Sequence, residues 1–311
     1  MSSAPEPFGL PIVTGGPNDR QPEQAAPDAN VHWHAAAAQW AMFGSPLRPC
    51  EEDLRIFEQF RSCGVGIPGT AHRKRAWLLG VTSEIASARW IDDIDVIAVE
   101  RAQTMIDAVW PGNTTRRWAI RADWLQAPFP DESFDLVIGD GCLTVVRYPD
   151  GLTALLASVH RCLRSDGQVL LRLFCLPDLA ETPEAVMAAL ASGEIGSVDV
   201  LKWRLIMAVQ GIAGTHDVCP HDAWSVWSDP RWNAHKVVER LGWSPAQVGT
   251  IEYWRGSTAR HVFMRFDEAT GYLRRAGFDL VAVRTGTYEL AERCPLLLLR
   301  KRKVGPEAIA A

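Results

Sequence analysis

Short apolar runs alternate with helical patterns between residues 76 and 176, and this alternation constrains the fold more than any other feature. The runs are apolar on successive residues, as in parallel strands that are covered on both faces. Alternation of strand and helix over about a hundred residues predicts a doubly wound α/β sheet. The five predicted strands are "AWLLG", "IDVIAVE", "RRWAIRADW", "SFDLVIGDG" and "QVLLRLFCL".

The strand pattern stops at Pro177 and resumes near the C-terminus, where "DLVAVRTGTYEL" and "CPLLLLRKR" are joined by a short connection. Such a connection favours an antiparallel pair. We therefore expect an α/β, mostly parallel seven-stranded sheet with an antiparallel last strand, a helical insert and an N-terminal helical extension. The predicted parts are a flexible N-terminal arm (1–30), an N-terminal helical region (31–70), the core (71–177), a helical lid insert (178–265), the end of the core sheet (266–303) and a tail (304–311).

Tryptophan is concentrated in the predicted insert, which holds six of the 13 tryptophans of the chain. These side chains can form the small core of the insert, or they can line an aromatic substrate pocket under a lid. The two interpretations are compatible. Trp40, in the N-terminal helical region, has the same ambiguity between helix packing and a cover over the active site, and Trp254 is a candidate substrate contact.

Charge and cysteine content narrow the function classes. The net charge of −5 argues against nucleic acid as a partner. The seven cysteines are odd in number and include no CxxC pair, which predicts reduced thiols and a cytoplasmic protein. No apolar stretch is long enough to cross a membrane. The histidines and cysteine of "HDVCPH" do not match a zinc spacing, so no metal is expected.

Acidic side chains follow three of the predicted strands. Glu100, Asp123 and Asp140 each stand at a strand end, and ligands of open α/β sheets bind at the carboxyl ends of strands. Glu100 lies 20 residues after Gly80, a spacing at which a carboxylate accepts from both hydroxyls of a ribose. The alternatives are an ordinary strand-end carboxylate for Glu100 and turn residues for Asp123 and Asp140.

Asp123 lies about one strand further across the sheet, where the exocyclic amine of an adenine would need an acceptor. Trp124 and Met105 can supply apolar faces for the adenine ring, although a methionine at a helical position is more often part of a core.

Two longer segments, "ADWLQAPFPDESFDLVIGDGCL" and "HRCLRSDGQVLLRLF", resemble the class I S-adenosylmethionine-dependent methyltransferases, which have a Rossmann-like fold. The first resembles the family's adenine-contact segment and fourth strand, and the second its helix, turn and fifth strand. The resemblance implies S-adenosyl-L-methionine as cofactor. It places Gly80 and Thr82 at the methionine end, Glu100 at the ribose, Asp123 and Trp124 at the adenine, and Asp140 beside the sulfonium.

The opening loop departs from the family, which usually has an acidic residue before a GxGxG loop. This chain has "LLGVTSE", with the single glycine Gly80. A glycine-rich loop offers bare backbone to a pyrophosphate, and S-adenosylmethionine has no phosphate. Thr82, Ser83 and the backbone can serve its amino acid end. Val81 and Thr82 need negative φ angles, so the loop must differ in shape from the glycine-rich one.

The sequence thus predicts transfer of a methyl group to an O, N or S nucleophile of a small molecule, and the large insert favours a specialised metabolite. A hydroxyl or amine acceptor needs a base, for which Asp140, His34, His261 and Tyr253 are unranked candidates. Two alternatives remain: a non-catalytic accessory subunit with the same fold, supported by the single-glycine loop, and a nicotinamide-dependent oxidoreductase, disfavoured by the lack of GxGxxG after the first strand. The sequence leaves the oligomeric state open.

Overall fold

A computed structural model of the protein describes residues 29–63 and 73–302. The predicted tail and most of the predicted N-terminal arm lie outside these ranges. The described residues form one seven-stranded sheet with the order β3-β2-β1-β4-β5-β7-β6. The strands are β1 (Arg75–Leu79), β2 (Asp95–Glu100), β3 (Arg117–Arg121), β4 (Phe134–Asp140), β5 (Leu163–Arg172), β6 (Phe278–Arg284) and β7 (Leu296–Lys301).

Strand direction follows the prediction. The neighbours β3, β2, β1, β4 and β5 pair in parallel, while β7 is antiparallel to both β5 and β6. The predicted mostly parallel seven-stranded sheet with a reversed last strand is confirmed. Because the first five strands are parallel, their carboxyl ends meet at one edge of the sheet.

Eleven α-helices lie within the described residues. They are α1 (Ala29–Gln39), α2 (Glu51–Cys63), α3 (Ser83–Ala86), α4 (Gln103–Val109), α5 (Asp150–Cys162), α6 (Pro183–Ser192), α7 (Val198–Ala213), α8 (Pro220–Ser228), α9 (Ala234–Arg240), α10 (Pro245–Gly249) and α11 (Phe266–Arg275). Helices α6 to α10 form the insert between β5 and α11, which we call the lid. No helix of the described residues is long and apolar enough to cross a membrane.

Both faces of the sheet are buried, which explains why its strands are apolar on successive residues. Along β1, Trp77 and Leu79 face a core cluster that also contains residues of α5 and α11. Ala76 and Leu78 face the opposite cluster, which contains residues of α2, α3 and α4. All four side chains are at most 3% exposed.

The lid has an apolar core of its own. Trp203, Trp227 and Trp254 are at most 5% exposed within it, whereas the other three lid tryptophans are only partly buried at its margin. The tryptophan-rich composition therefore builds a lid core, as one of the two interpretations expected.

Two local predictions were wrong. The sequence "DGLTALLASVHRCLRSDG" predicts a helix that starts at Asp150 and ends just before Gly167, but α5 ends at Cys162 and β5 begins at once. Leu163 is fully buried and pairs with Phe134, and the register then shifts so that Gln168 pairs with Leu136. Burial of Leu163 on the sheet thus ends the helix four residues early.

The second error concerns the start of α3. The sequence "SEIASARW" predicts a helix capped by Ser83, but Ser83 is the first helical residue, and Thr82 occupies the cap position without a side-chain hydrogen bond to the helix. The helix is also short, with four residues, and a 3₁₀ turn at Arg89–Ile91 follows it.

The N-terminal helical region packs over the carboxyl edge of the sheet. Helix α1 contacts α4 and the 3₁₀ segment Thr250–Trp254 of the lid. Pro46 and Pro49 lie between α1 and α2, as proline requires. This arrangement brings residues of the N-terminal region, the lid and the strand ends together.

Candidate active site

The chain turns at Gly80, directly after β1. The amide of Gly80 donates to the carbonyl oxygen of Val99 over 2.9 Å, which ties the end of β1 to the end of β2. The φ angle of Gly80 is +91°, a conformation that side chains other than glycine rarely adopt. Val81 and Thr82 follow as buried residues, 3% and 8% exposed. One glycine therefore makes the turn, and the next two residues anchor the loop.

Glu100 points toward this turn. A Cβ atom placed on Gly80 would lie 3.9 Å from Glu100 Oε2. The other carboxylate oxygen, Oε1, accepts from the Ala102 amide over 2.8 Å, which fixes the side chain. Burial raises the pKa of the Glu100 carboxyl because the charged form is desolvated. A partly buried carboxylate with one oxygen directed over a backbone turn can accept from a ligand hydroxyl.

Trp124 closes the same space from the β3 side. Its Cζ2 atom would lie 3.6 Å from a Cβ atom on Gly80, and its indole N–H donates to Val99 O over 2.5 Å. The chain reaches this position because the Ala122 amide donates to Glu100 O over 3.1 Å just past β3. Gly80, Glu100 and Trp124 thus lie together beyond the ends of neighbouring strands, at a place that we call the crevice.

Asp123 and Met105 make the structural contacts that the sequence analysis gave as alternatives to cofactor binding. Asp123 Oδ1 accepts from the Leu125 amide over 2.9 Å and caps a 3₁₀ turn, which is the turn role expected as an alternative to an adenine contact. Met105 is 4% exposed and belongs to the core cluster below α4.

Asp140, at the end of β4, lies in an ion-pair network that the sequence did not predict. Arg172, its partner across the sheet, donates from Nε to Asp140 Oδ1 over 2.6 Å and from Nη1 to Asp53 Oδ2 over 3.1 Å. Tyr288 donates to Asp53 Oδ1 over 2.9 Å. Arg172 and Asp53 are fully buried. Burial raises the pKa of the Asp140 carboxyl, and the arginine offsets this only in part.

The sequence carried one signal for this network, because Arg172 is the only charged residue of "QVLLRLFCL". A charge in a run that is covered on both faces needs a buried partner. The partner on β4 could have been inferred from that position, whereas Asp53 on α2 is 119 residues away and has no local signal.

A second ion pair links the segment of residues 40–48, which we call the cover, to the loop after Gly80. Arg48 donates from Nε to Glu84 Oε1 over 2.5 Å and from Nη1 to the carbonyl oxygen of Trp40 over 3.0 Å. Its guanidinium also lies 5.6 Å from the centre of the Trp40 ring. Trp40 is therefore held by the arginine that pairs with the loop after Gly80, and it also packs on Phe43 with ring centres 6.0 Å apart.

The region around the Gly80 turn is similar to a known protein family. Residues 79–171, which include the Gly80 turn, Glu100, Trp124 and Asp140, match the family model described as a methyltransferase domain. This segment of the chain is therefore similar to a methyltransferase domain. No curated protein matches the sequence.

Solved structures share the fold of the methyltransferase domain at low identity. CcbJ methyltransferase from Streptomyces caelestis is 12% identical, with 89% of this chain and 100% of that chain covered and a TM-score of 0.50. A Burkholderia thailandensis 1,6-didemethyltoxoflavin-N1-methyltransferase with bound S-adenosylhomocysteine is 13% identical, with coverages of 91% and 94% and a TM-score of 0.50.

A third structure, from Rhodobacter sphaeroides, is provisionally described as a Zn-dependent alcohol dehydrogenase. It is 13% identical, with coverages of 88% and 99% and a TM-score of 0.55. At these identities the likeness shows the fold alone. Within the described part of the chain, no three His, Cys, Asp or Glu residues are grouped to hold a metal ion. His216 stacks on Tyr148, while His221 stacks on Trp224 and accepts from the Gly256 amide.

S-adenosylmethionine is the cofactor of this domain class, and the crevice fits it. The Oε2 atom of Glu100 is directed over the Gly80 turn, where a ribose needs an acceptor. The Trp124 ring borders the same turn, and a purine needs such an apolar face. The loop offers no glycine-rich cradle, and this cofactor has no phosphate that requires one.

The four predicted base candidates differ from one another in burial and in hydrogen-bond partners. His34 is exposed on α1. Asp140 is paired with Arg172. Burial raises the pKa of Tyr253, which therefore stays a neutral phenol. His261 is 4% exposed, and neither of its ring nitrogens has a hydrogen-bond partner in the structure. Burial lowers its pKa to about 3, so this imidazole is neutral and keeps a free lone pair.

His261 belongs to an aromatic cluster between the cover and the lid that the sequence did not predict. Its ring centre lies 5.4 Å from His32 and 6.2 Å from Trp203. His32 in turn lies 5.2 Å from Tyr253, and Tyr253 lies 5.7 Å from Phe43. We call His32, Phe43, Phe174, Trp203, Tyr253 and His261 the aromatic cluster. Trp254 is fully buried behind it, with its ring 6.5 Å from Trp203.

A buried ion pair supports this cluster from the lid. Lys202 Nζ contacts Asp199 Oδ1 over 3.2 Å, is bonded to Thr250 Oγ1, and lies 4.6 Å from the centre of the Phe43 ring. The second Asp199 oxygen accepts from the Gly44 amide over 2.7 Å, which holds the cover on the lid. Burial lowers the pKa of Lys202 to about 8. The charges of Lys202 and Asp199 thus compensate each other within the protein.

Proposed function

We propose that the protein transfers the methyl group of S-adenosylmethionine to an O, N or S nucleophile of a small molecule, in keeping with a specialised metabolite as acceptor. The carrying observation is the convergence of Glu100 and Trp124 on the Gly80 turn within the segment that matches a methyltransferase domain. The cover and the lid support an enclosed acceptor rather than a macromolecule. We include a cytoplasmic location in the proposal, on the cysteine pattern.

In this proposal each residue at the strand ends has a stated task. Glu100 accepts from the ribose hydroxyls, and Asp123 and Trp124 contact the adenine. Gly80 and Thr82 border the methionine end, Met105 supports the adenine side from the core, and Asp140, held by Arg172, lies beside the sulfonium. When bound, the cofactor supplies an electrophilic methyl group.

The protein's own contribution is positioning and the exclusion of water, which this kind of transfer chiefly requires. The N-terminal cover is held over the crevice by the Arg48–Glu84 pair and on the lid by the Asp199–Gly44 contact. These contacts close the site from two sides. Among the four base candidates, the neutral imidazole of His261 has ring nitrogens without a partner, so in this proposal it accepts a hydrogen bond from the acceptor molecule.

Isothermal titration of S-adenosylmethionine tests the proposal, with a Glu100→Gln variant and Glu239→Gln, exposed on α9, as matched control. A buried charged hydrogen bond is worth about 1.5–3 kcal/mol, so we expect Glu100→Gln to weaken binding roughly ten- to a hundredfold. The control should leave the affinity unchanged. Lack of binding to the folded wild-type protein would refute the proposal. Mass spectrometry of extracts supplied with labelled cofactor would then identify the methylated product.

A further inference from the structure

The aromatic cluster contains buried polar atoms without partners. Both ring nitrogens of His261 and the indole nitrogen of Trp203 lack a hydrogen bond in the structure. His261 is 4% and Trp203 5% exposed. Buried polar groups in folded proteins are almost always satisfied, and leaving one unsatisfied is costly. Among the buried side-chain atoms without a partner, these belong to two rings in contact, so one polar group from outside the chain can reach both rings.

Their chemistry defines that group. The indole N–H of Trp203 is only a donor, whereas a neutral imidazole has one donor and one acceptor nitrogen. The two rings stand edge to face, 80° apart, with centres 6.2 Å apart. A single hydroxyl can accept from the Trp203 indole and donate to the acceptor nitrogen of His261, while the imidazole N–H stays available to a second acceptor.

The surroundings select the remainder of the ligand. The neighbouring rings of Phe174, Tyr253 and Phe43 favour a planar aromatic molecule. The charges around the cluster are already paired: Arg172 with Asp140 and Asp53, and Lys202 with Asp199. A charged ligand would lose its hydration and find no counter-ion. The cluster therefore favours an uncharged ligand.

The cluster is also next to the strand ends of the methyltransferase domain. The Phe174 ring lies 5.1 Å from the Arg172 guanidinium and 5.0 Å from the Trp203 ring. It covers Gly141, since a Cβ atom on that glycine would collide with it. One ring thus separates the Asp140–Arg172 pair from the unpartnered Trp203 and His261.

We propose that an uncharged, planar hydroxyaromatic acceptor binds with its hydroxyl between His261 and Trp203, donating to the imidazole and accepting from the indole N–H. This inference rests on the proposed methyl transfer and names the acceptor class and two residues that select it. His261 and Trp203 are binding residues in this proposal.

Calorimetric titration with three naphthalene probes tests the hydroxyl. 2-Naphthol carries it, 2-methoxynaphthalene lacks its hydrogen, and 2-naphthoate is charged. We expect the folded wild-type protein, saturated with S-adenosylhomocysteine, to bind 2-naphthol about tenfold more tightly than 2-methoxynaphthalene, and not to bind 2-naphthoate. Binding of S-adenosylhomocysteine without any binding of 2-naphthol would overturn this inference alone. Failure to bind the cofactor product would count against the proposed function instead.

Variants of His261 and Trp203 test which side chains bind the hydroxyl of the probe. His261→Phe should remove the preference for 2-naphthol while leaving 2-methoxynaphthalene binding unchanged, and Trp203→Phe should weaken 2-naphthol less, since a phenyl ring retains the packing. His235→Phe, at an exposed position of α9, is the matched control. Equal weakening of both probes by His261→Phe would indicate a structural role and overturn the proposal. If that variant does not fold, His261→Gln should retain part of the preference.

The experiment must distinguish binding in the aromatic cluster from binding at a second site. A cavity of about 160 Å³ lies further along α7, lined by residues that include Met207, Gly211 and Arg293. Cavities of similar size bind benzene. Gly211→Leu would fill it. Undiminished binding of 2-naphthol to this variant supports the cluster as the site, whereas loss of binding would place the probe in the cavity and refute the proposal.

Discussion

Replacing Arg172 by methionine should destabilise the protein strongly and in a pH-dependent way. Arg172 bridges Asp140 and Asp53, at 2.6 and 3.1 Å, and all three side chains are at most 6% exposed. Removing one member of a buried ion pair costs about 3–5 kcal/mol, because the remaining charge is left buried. At about 2 °C per kcal/mol, the lower end for large domains, Tm should fall by roughly 6–10 °C.

The pH dependence distinguishes lost charge pairing from lost packing. Burial already raises the pKa of the Asp140 carboxyl, and loss of the cation raises it further. A carboxyl whose pKa is higher in the folded than in the unfolded state favours folding when protonated. The difference in unfolding free energy between wild type and variant should therefore be largest near pH 8 and shrink toward pH 5.

Denaturant unfolding at several pH values, followed by tryptophan fluorescence and circular dichroism, measures this difference. Arg284→Met, at the exposed end of β6, is the control for replacing an arginine on a strand. Adding Asp53→Asn and Asp140→Asn to Arg172→Met should recover more than half of the loss, since no uncompensated charge remains. A loss under about 1 kcal/mol at pH 8, or one that does not change with pH, would refute the reasoning.

Two further outcomes follow from the site. Gly141→Ala should abolish most methyl transfer and lower Tm, because the φ angle is +63° and the added Cβ collides with Phe174; a variant with normal activity would show that this ring moves freely. Wild-type stability should fall as pH drops from 6.5 toward 4, by about 3 kcal/mol for His32 alone, since burial lowers its pKa to about 4 and the unfolded state binds the proton first. His32→Phe should flatten this fall in denaturant titrations, and an unchanged pH profile would contradict the assignment.

The sheet and the crevice could be predicted because their signals are local in sequence. The strands are apolar on successive residues, and Glu100 and Trp124 stand where strands end. The start of β5 was misplaced because a buried leucine after "HRC" fits a helix as well as a strand, and only its pairing with Phe134 decides. Pairing across the sheet is not visible in a single strand.

The ion-pair network and the aromatic cluster depend on contacts between distant parts of the chain. Asp53 meets Arg172 across 119 residues, and His32 meets Ser257 across 225. Helical or strand periodicity carries no information about such pairs. The four base candidates were equivalent in sequence for the same reason, and they differ only once burial and partners are known.

The roles of Gly80, Val81 and Thr82 explain why this loop needs only one glycine. A loop that holds a phosphate needs bare backbone at several positions, but a ligand without phosphate needs only one turn. Gly80 makes that turn and is tied to Val99, while Val81 and Thr82 are buried and anchor the loop on the core. Additional glycines would remove this anchoring and give the unfolded chain more freedom to lose. The loop thus holds the turn beside Glu100 and Trp124 before any ligand binds, and such preorganisation lowers the entropic cost of binding.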